Sequence, residues 1–217
     1  VYKRQGHELL PVLTKHMVAY AKLHYAFVSN FRSHIAMWPS WTEVVEWYWG
    51  VLCDAAKDGA SVALHHDDGD DVVMYPYRWI VLSLRLLHAT LDRWQRNRPA
   101  GTMFAGASGA QFELQMVDVL LKTYLRLTPT DLERWQAHPE QFAIEEDQGD
   151  DELDIRPAAT ELMRALSRHS FRSGKGAAPE VPNVSDYMWM QFEASAQWPL
   201  TLEGVLAREV VYHALPL

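Results

Sequence analysis

Between Tyr77 and Asn97, Ile80, Leu84, Leu87, Leu91 and Trp94 recur at steps of three and four, while Arg85, Arg93 and Arg96 fall off that line. A helix puts such residues on one face and a strand does not, so this segment is predicted to be a helix buried along one side. The same spacing recurs along most of the chain. Leu9, Leu10, Leu13, Met17, Tyr20, His24, Phe27 and Phe31 predict a long helix whose Pro11 belongs in the first turn. Ser40 and Glu43 have capping-box spacing ahead of Val44, Val45, Trp47, Tyr48, Val51, Leu52 and Ala55, and Gly59 closes that helix.

Further helices are expected over Gln111–Leu125, Asp131–His138 with Thr130 as cap and Pro139 as stop, Pro157–Ser170, Ser185–Gln197 and Thr201–Leu215. Extended character is confined to Ser61–Leu64 and Asp71–Met74, two segments too short to build a sheet on. Seven or eight helices and no sheet give an all-α fold. Helix pairs about 40 residues apart are the signature of a HEAT-repeat α-solenoid, a superhelix in which each antiparallel pair buries its stripe against the next. Residues 1–217 are expected to form one array of about four or five repeats. Linkers fall at 98–110 and 171–184, and acidic loops at 65–72 and 144–154. The chain opens at Val1 without Met and ends directly after a helix-like segment, as an internal piece of a longer array would.

Charge narrows the function. Lys and Arg number 20 against 28 Asp and Glu, a net charge of −8. That balance argues against nucleic acid as a partner, because phosphate binding needs clustered basic residues. Cys53 is the single cysteine, which leaves no internal disulfide or thiolate metal site and suits a reducing compartment. No apolar run reaches the length of a membrane span, so membrane insertion is not expected.

Chemical motifs are weak. His65 and His66 stand beside Asp67, Asp68, Asp70 and Asp71, yet the spacing lacks the alternating ligands and the final Glu of a calcium loop. A solvated acidic turn is the simpler reading. Gly106-Ala107-Ser108-Gly109-Ala110 lacks the second Gly of a nucleophile elbow, and Ser173-Gly174-Lys175-Gly176 lacks the first Gly and the final hydroxyl of a phosphate loop. Cys53, next to Asp54, reads as a small core residue. No nucleophile, base and oxyanion donor assemble, so neither an enzyme nor a cofactor is expected. The nine Trp residues fall on helical stripes, and the spacing does not single out an exposed subset.

The run Glu145, Glu146, Asp147, Asp150, Asp151, Glu152 and Asp154 carries no Lys or Arg among it. It reads either as a solvated loop or as an electrostatic trap for a basic partner, since clustered carboxylates attract Lys and Arg and speed association.

Three blocks in order carry a resemblance. These are Leu127-Thr128-Pro129-Thr130-Asp131-Leu132-Glu133-Arg134-Trp135, then His138-Pro139-Glu140-Gln141-Phe142 and the acids, then Arg156-Pro157-Ala158-Ala159. Together they resemble a segment of importin-β-type karyopherins, with most likeness to the importin-eleven group and its fungal relatives. The resemblance implies an internal section of a HEAT-repeat receptor that shuttles between nucleus and cytoplasm. It implies protein cargo, basic in character, FG nucleoporins and the GTPase Ran as partners, with the acidic run facing Ran or cargo. Another α-solenoid scaffold without Ran dependence, and a compact helical bundle with a central pocket, are the rival expectations.

Overall fold

The computed structural model describes residues 2–31, 38, 40–57, 75–97, 109–148, 154–173 and 183–215. Every regular element among them is helical: α1 (Tyr2–Asn30), α2 (Trp41–Lys57), α3 (Tyr77–Asn97), α4 (Gly109–Val119), α5 (Pro129–Ala137), α6 (Pro139–Gln148), α7 (Ile155–Ser173), α8 (Val184–Ser195) and α9 (Leu202–Ala214). A single π turn, Leu120–Tyr124, prolongs α4, and the Leu125 N–H donates to the Leu120 carbonyl five residues back at 2.9 Å.

The helices form two layers. In the first, α3 lies between α1 and α7. In the second, α2, α4 and α8 follow one another: Trp49 of α2 meets Phe112 of α4 edge to face, and the Tyr187 hydroxyl of α8 donates to Asp118 of α4 at 3.1 Å. The chain alternates between layers, and α9 returns to the first beside α7. There Arg156 pairs with Glu209, and the Thr160 hydroxyl lies 3.2 Å from His213 Nε2. Alternating pairs stacked side by side are the architecture of a HEAT-type α-solenoid, in which each pair touches mainly its neighbours. Tyr124, the last residue of the π turn, is buried, and its hydroxyl donates to the Leu52 carbonyl of α2 at 2.6 Å.

α3 carries the centre. Trp79, Ile80, Val81, Leu84, Leu86, Leu87 and Leu91 are all buried, a broader apolar surface than the stripe the spacing predicts, because helices cover α3 on several sides. Each such side chain contributes about 1.5–3 kcal/mol on burial. Ser83 and Thr90, also buried, donate their hydroxyls to the carbonyls of Trp79 and Leu86 one turn back. The side chain of Trp94 lies outside the described residues.

Five expectations change. Pro11 stands well inside α1 and exposed rather than in its first turn, because the helix starts at Tyr2, among the strong helix formers Lys3, Arg4 and Gln5. The buried face of α1 is Ala21 and Val28 with Met17, Val18 and Tyr25 packed beside them, while Leu13, Tyr20 and Phe31 are exposed. Burial follows the face turned toward α3, and periodicity alone does not tell which of two apolar faces has a neighbour. The cap of α5 is Thr128, not Thr130. Its hydroxyl accepts from Asp131 N at 3.1 Å, Asp131 Oδ2 accepts from Thr128 N at 2.8 Å, and Pro129 occupies the first turn, where no N–H is needed. α5 does end ahead of Pro139, at Ala137, but Pro139 also opens a helix absent from the expectation, α6, after a one-residue break at His138. Of the expected linkers, Gly109 and Ala110 belong to α4, and 171–173 and Val184 belong to α7 and α8. The acidic segment at 65–72 lies outside the described residues.

Candidate docking surface

Helices α5 and α6 stand apart from the core. Among the described residues of α5 none is buried, and Leu132 and Phe142 are only half-buried. The pair pack chiefly on each other. Their junction is fixed by local chemistry: the His138 N–H donates to the Arg134 carbonyl, the His138 carbonyl accepts from the Phe142 N–H, both at 2.9 Å, and His138 itself leaves the helical conformation with φ −145° and ψ 71°. The base of this arm is tied to the array. The Tyr77 hydroxyl of α3 donates to Asp154 Oδ1 at 2.7 Å and accepts from the Ile155 N–H at 3.2 Å. Burial, the Asp154 carboxylate and the nearby Asp131 hold the Tyr77 phenol above its ordinary range.

Glu133, Arg134, Ala137, His138, Gln141 and Phe142 line an open groove of about 420 Å³ in the angle of the arm. Arg134 spans it, its guanidinium 5.9 Å from the centre of the Phe142 ring and 4.0 Å from Asp131. Trp135 and Ile144 of the same two helices are exposed, at 52% and 55%.

The acidic residues fall in three places. Glu145, Glu146 and Asp147 continue the backbone of α6, so the run starts on a helix rather than in a loop at 144. Asp150, Asp151 and Glu152 lie outside the described residues. Asp154 is half-buried and held by Tyr77, so it helps join α3 to α7. The side chains of Glu145, Glu146 and Asp147 lie outside the described residues.

The other candidates stay quiet. Cys53 is half-buried, and burial pushes its thiol up, with Lys57 opposing and Asp54 adding to the shift. His65, His66 and their aspartates, most of 106–110 and Gly174–Gly176 lie outside the described residues. Among the described residues no three His, Cys, Asp or Glu side chains converge as metal ligands, and no helix is long and apolar enough to cross a membrane. Of the tryptophans, Trp41, Trp49 and Trp79 are buried, while Trp38, Trp47, Trp135 and Trp189 are exposed.

In the sequence Pro139 reads as a stop, which hides α6 and the angle it makes with α5. A usable signal was present: Thr128, Pro129 and Asp131 have the spacing of a capped start, and Pro139 follows a residue free to break the helix.

No family model matches this chain, and no curated protein matches it. Among solved structures it is similar to Lph2, described as a bidirectional nuclear transport receptor in S. cerevisiae, with a TM-score of 0.63 and 20% sequence identity. The likeness covers 89% of this chain and 19% of that receptor, so the chain spans about a fifth of the receptor's length. At this identity the likeness is one of fold: the chain folds as a stretch of HEAT-type α-solenoid.

Proposed function

We propose that the chain is an internal section of an importin-β-type nuclear transport receptor, carrying protein cargo between nucleus and cytoplasm under Ran-GTP control. The observation that carries this reading is the fold likeness to a nuclear transport receptor over 89% of the chain. The ordered blocks around Thr128, Pro139 and Arg156, which resemble a segment of karyopherins, add to it. In this reading the stacked helix pairs form a curved scaffold, FG nucleoporins bind elsewhere on it, and Ran-GTP shifts its curvature to release cargo. Glu145, Glu146, Asp147, Asp150, Asp151 and Glu152 form the patch that meets a basic partner, with Asp154 reserved for the fold.

The test is capture of binding proteins from cell extract by the protein that contains this chain, with and without Ran locked in its GTP state, read by mass spectrometry. Basic nuclear proteins displaced by Ran-GTP are the expected result. A bound set indifferent to Ran-GTP overturns the reading and leaves an α-solenoid scaffold.

A further inference from the structure

We propose that the outer face of the first layer, formed by α1, α3 and α7, is a docking surface for an acidic protein segment, held by Lys15, Lys22, Arg78 and Arg168. The inference goes beyond the proposed function, since it concerns a different surface and a partner of the opposite charge.

Charge is sorted by layer. The described residues of α1, α3 and α7 hold seven Lys and Arg and one acid, Glu161, whereas those of α2, α4 with its π turn, and α8 hold two Lys and seven acids. Both lysines of the second layer pair along their own helices, Lys57 with Asp54 at 3.2 Å and Lys122 with Asp118 at 2.7 Å, as cations on solvated helix faces commonly do. The first layer differs. Arg156 and Arg164 are paired with Glu209 and Glu161, but Lys15, Lys22, Arg78 and Arg168 are exposed and have no carboxylate partner among the described residues. In a chain of net charge −8, unpaired cations on one face are a local field of reversed sign.

Register brings these cations to one surface, because each residue advances a helix by about 100°. On α1, His24 meets the Tyr48 hydroxyl of α2 at 2.9 Å, so Lys22, two residues away, lies on the opposite flank, and Lys15 precedes it by two turns. On α3, Arg78 and Arg85 form a row between the buried Trp79 and Leu86 on one side and His88 on the other, which lies 3.9 Å from Glu161 of α7. On α7, Glu161 turns to α3 and Thr160 to His213 of α9, so Arg164 and, one turn on, Arg168 point outward between them. Neighbouring helix axes lie about 8–10 Å apart, so the three rows span about 20 Å. An extended segment of about six to eight residues crosses that width. Its carboxylates match the guanidinium fork of Arg78 and Arg168. So short a segment meets the cations alone, since charges beyond the Debye length of about 8 Å are screened, whereas a long polyanion runs past this face into the field of the second layer's acids.

The experiment measures fluorescence anisotropy of the full chain at low ionic strength with three labelled probes: a short peptide alternating Glu and Ser, the same peptide with Gln in place of each Glu, and a single-stranded DNA of the same length. The Glu probe is expected to bind at least about tenfold more tightly than either of the others. Two variants that change the net charge equally then locate the site. Lys22→Gln with Arg78→Gln is expected to weaken the Glu probe at least about fivefold and to flatten its salt dependence. Lys57→Gln with Lys122→Gln, in the other layer, is expected to weaken it by less than about twofold. All four positions are exposed, so neither variant disturbs the core.

Equal binding of the Glu and Gln probes, or no binding of either, overturns the proposal. Equal losses in the two variants overturn the assignment to this face and leave only a response to net charge, and DNA that binds as tightly as the Glu probe overturns a protein segment as the occupant. No readout involves Ran, extract or the acidic run, so this inference and the transport reading fail separately.

Discussion

At Gly204 a single hydrogen decides the packing. A Cβ built there falls 2.0 Å from the Pro199 carbonyl oxygen, because the turn from α8 folds back onto the first turn of α9, where Thr201 caps the Gly204 N–H at 3.2 Å. Gly204→Ala forces that backbone apart, and a loss on the order of 1–3 kcal/mol is expected in chemical denaturation. Full retention of stability would show that the turn yields freely. The neighbouring seam between α7 and α9 is sensitive to pH. His213 is pushed down to about 4 from 6.5, by burial first and then by the Arg156 and Arg164 guanidiniums. A histidine that stays neutral in the fold but gains a proton when unfolded weakens the fold as pH falls. Its contribution is intact above pH 6.5 and is lost progressively toward pH 4, to the extent of about 2–3 kcal/mol. Carboxylates titrate in the same range, so the comparison is with His213→Gln. The variant is expected to show a shallower loss of stability between pH 6.5 and 4, and parallel curves would remove His213 from the account.

Among the elements, α5 is the one that owes least to the core. It is held by its own start, through Thr128, Pro129 and Asp131, so Thr128→Ala should cost about 1 kcal/mol locally. That corresponds to roughly fivefold faster amide exchange over Pro129–Ala137, with the global unfolding midpoint nearly unchanged. A large drop in the midpoint would mean that the arm is integral to the array. The same contrast explains what the residues announce in advance. α3 and α7 are legible because the residues their spacing selects are buried, Ile80, Leu84, Leu87 and Leu91 in one and Ala159, Leu162 and Leu166 in the other. α9 is legible as a helix but not in its face: of Leu202, Val205, Leu206, Val210 and Val211, only the last two are buried, and Leu202 and Val205 are exposed. α1 is legible as a helix but not in its buried face, since Leu13, Tyr20 and Phe31 repeat as regularly as Met17, Ala21 and Val28. The groove is the least legible part. It depends on the angle at His138, set by one residue's backbone, and a proline there can equally stop a helix or start one. The acids of α6 are visible as charge, yet their place one turn beyond Phe142 exists only once α6 does.

Over the whole molecule, stability should follow the order of the stack. In a solenoid each pair is stabilised by its own packing and by its neighbours, so the same type of lesion spreads differently from centre and edge. Leu84 is fully buried in α3, between α1 and α7, whereas Val211 is buried in α9, which packs on α8 and the end of α4. Leu84→Ala is expected to cost about 2–5 kcal/mol and to speed amide exchange through α1, α3 and α7 together. Val211→Ala leaves a smaller void, and its faster exchange should stay within α9 and its immediate neighbours, α8 and the end of α4, and leave α1 and α3 unchanged. A closed bundle behaves otherwise, because every helix shares one core and both substitutions loosen all of it. Exchange measured residue by residue on the two variants therefore separates the architectures: matched, global acceleration would contradict the stacked-pair description, and acceleration confined to neighbours supports it. The outcome bears on function as well, since a scaffold whose pairs respond locally can change curvature at one point while the α5–α6 arm keeps its shape.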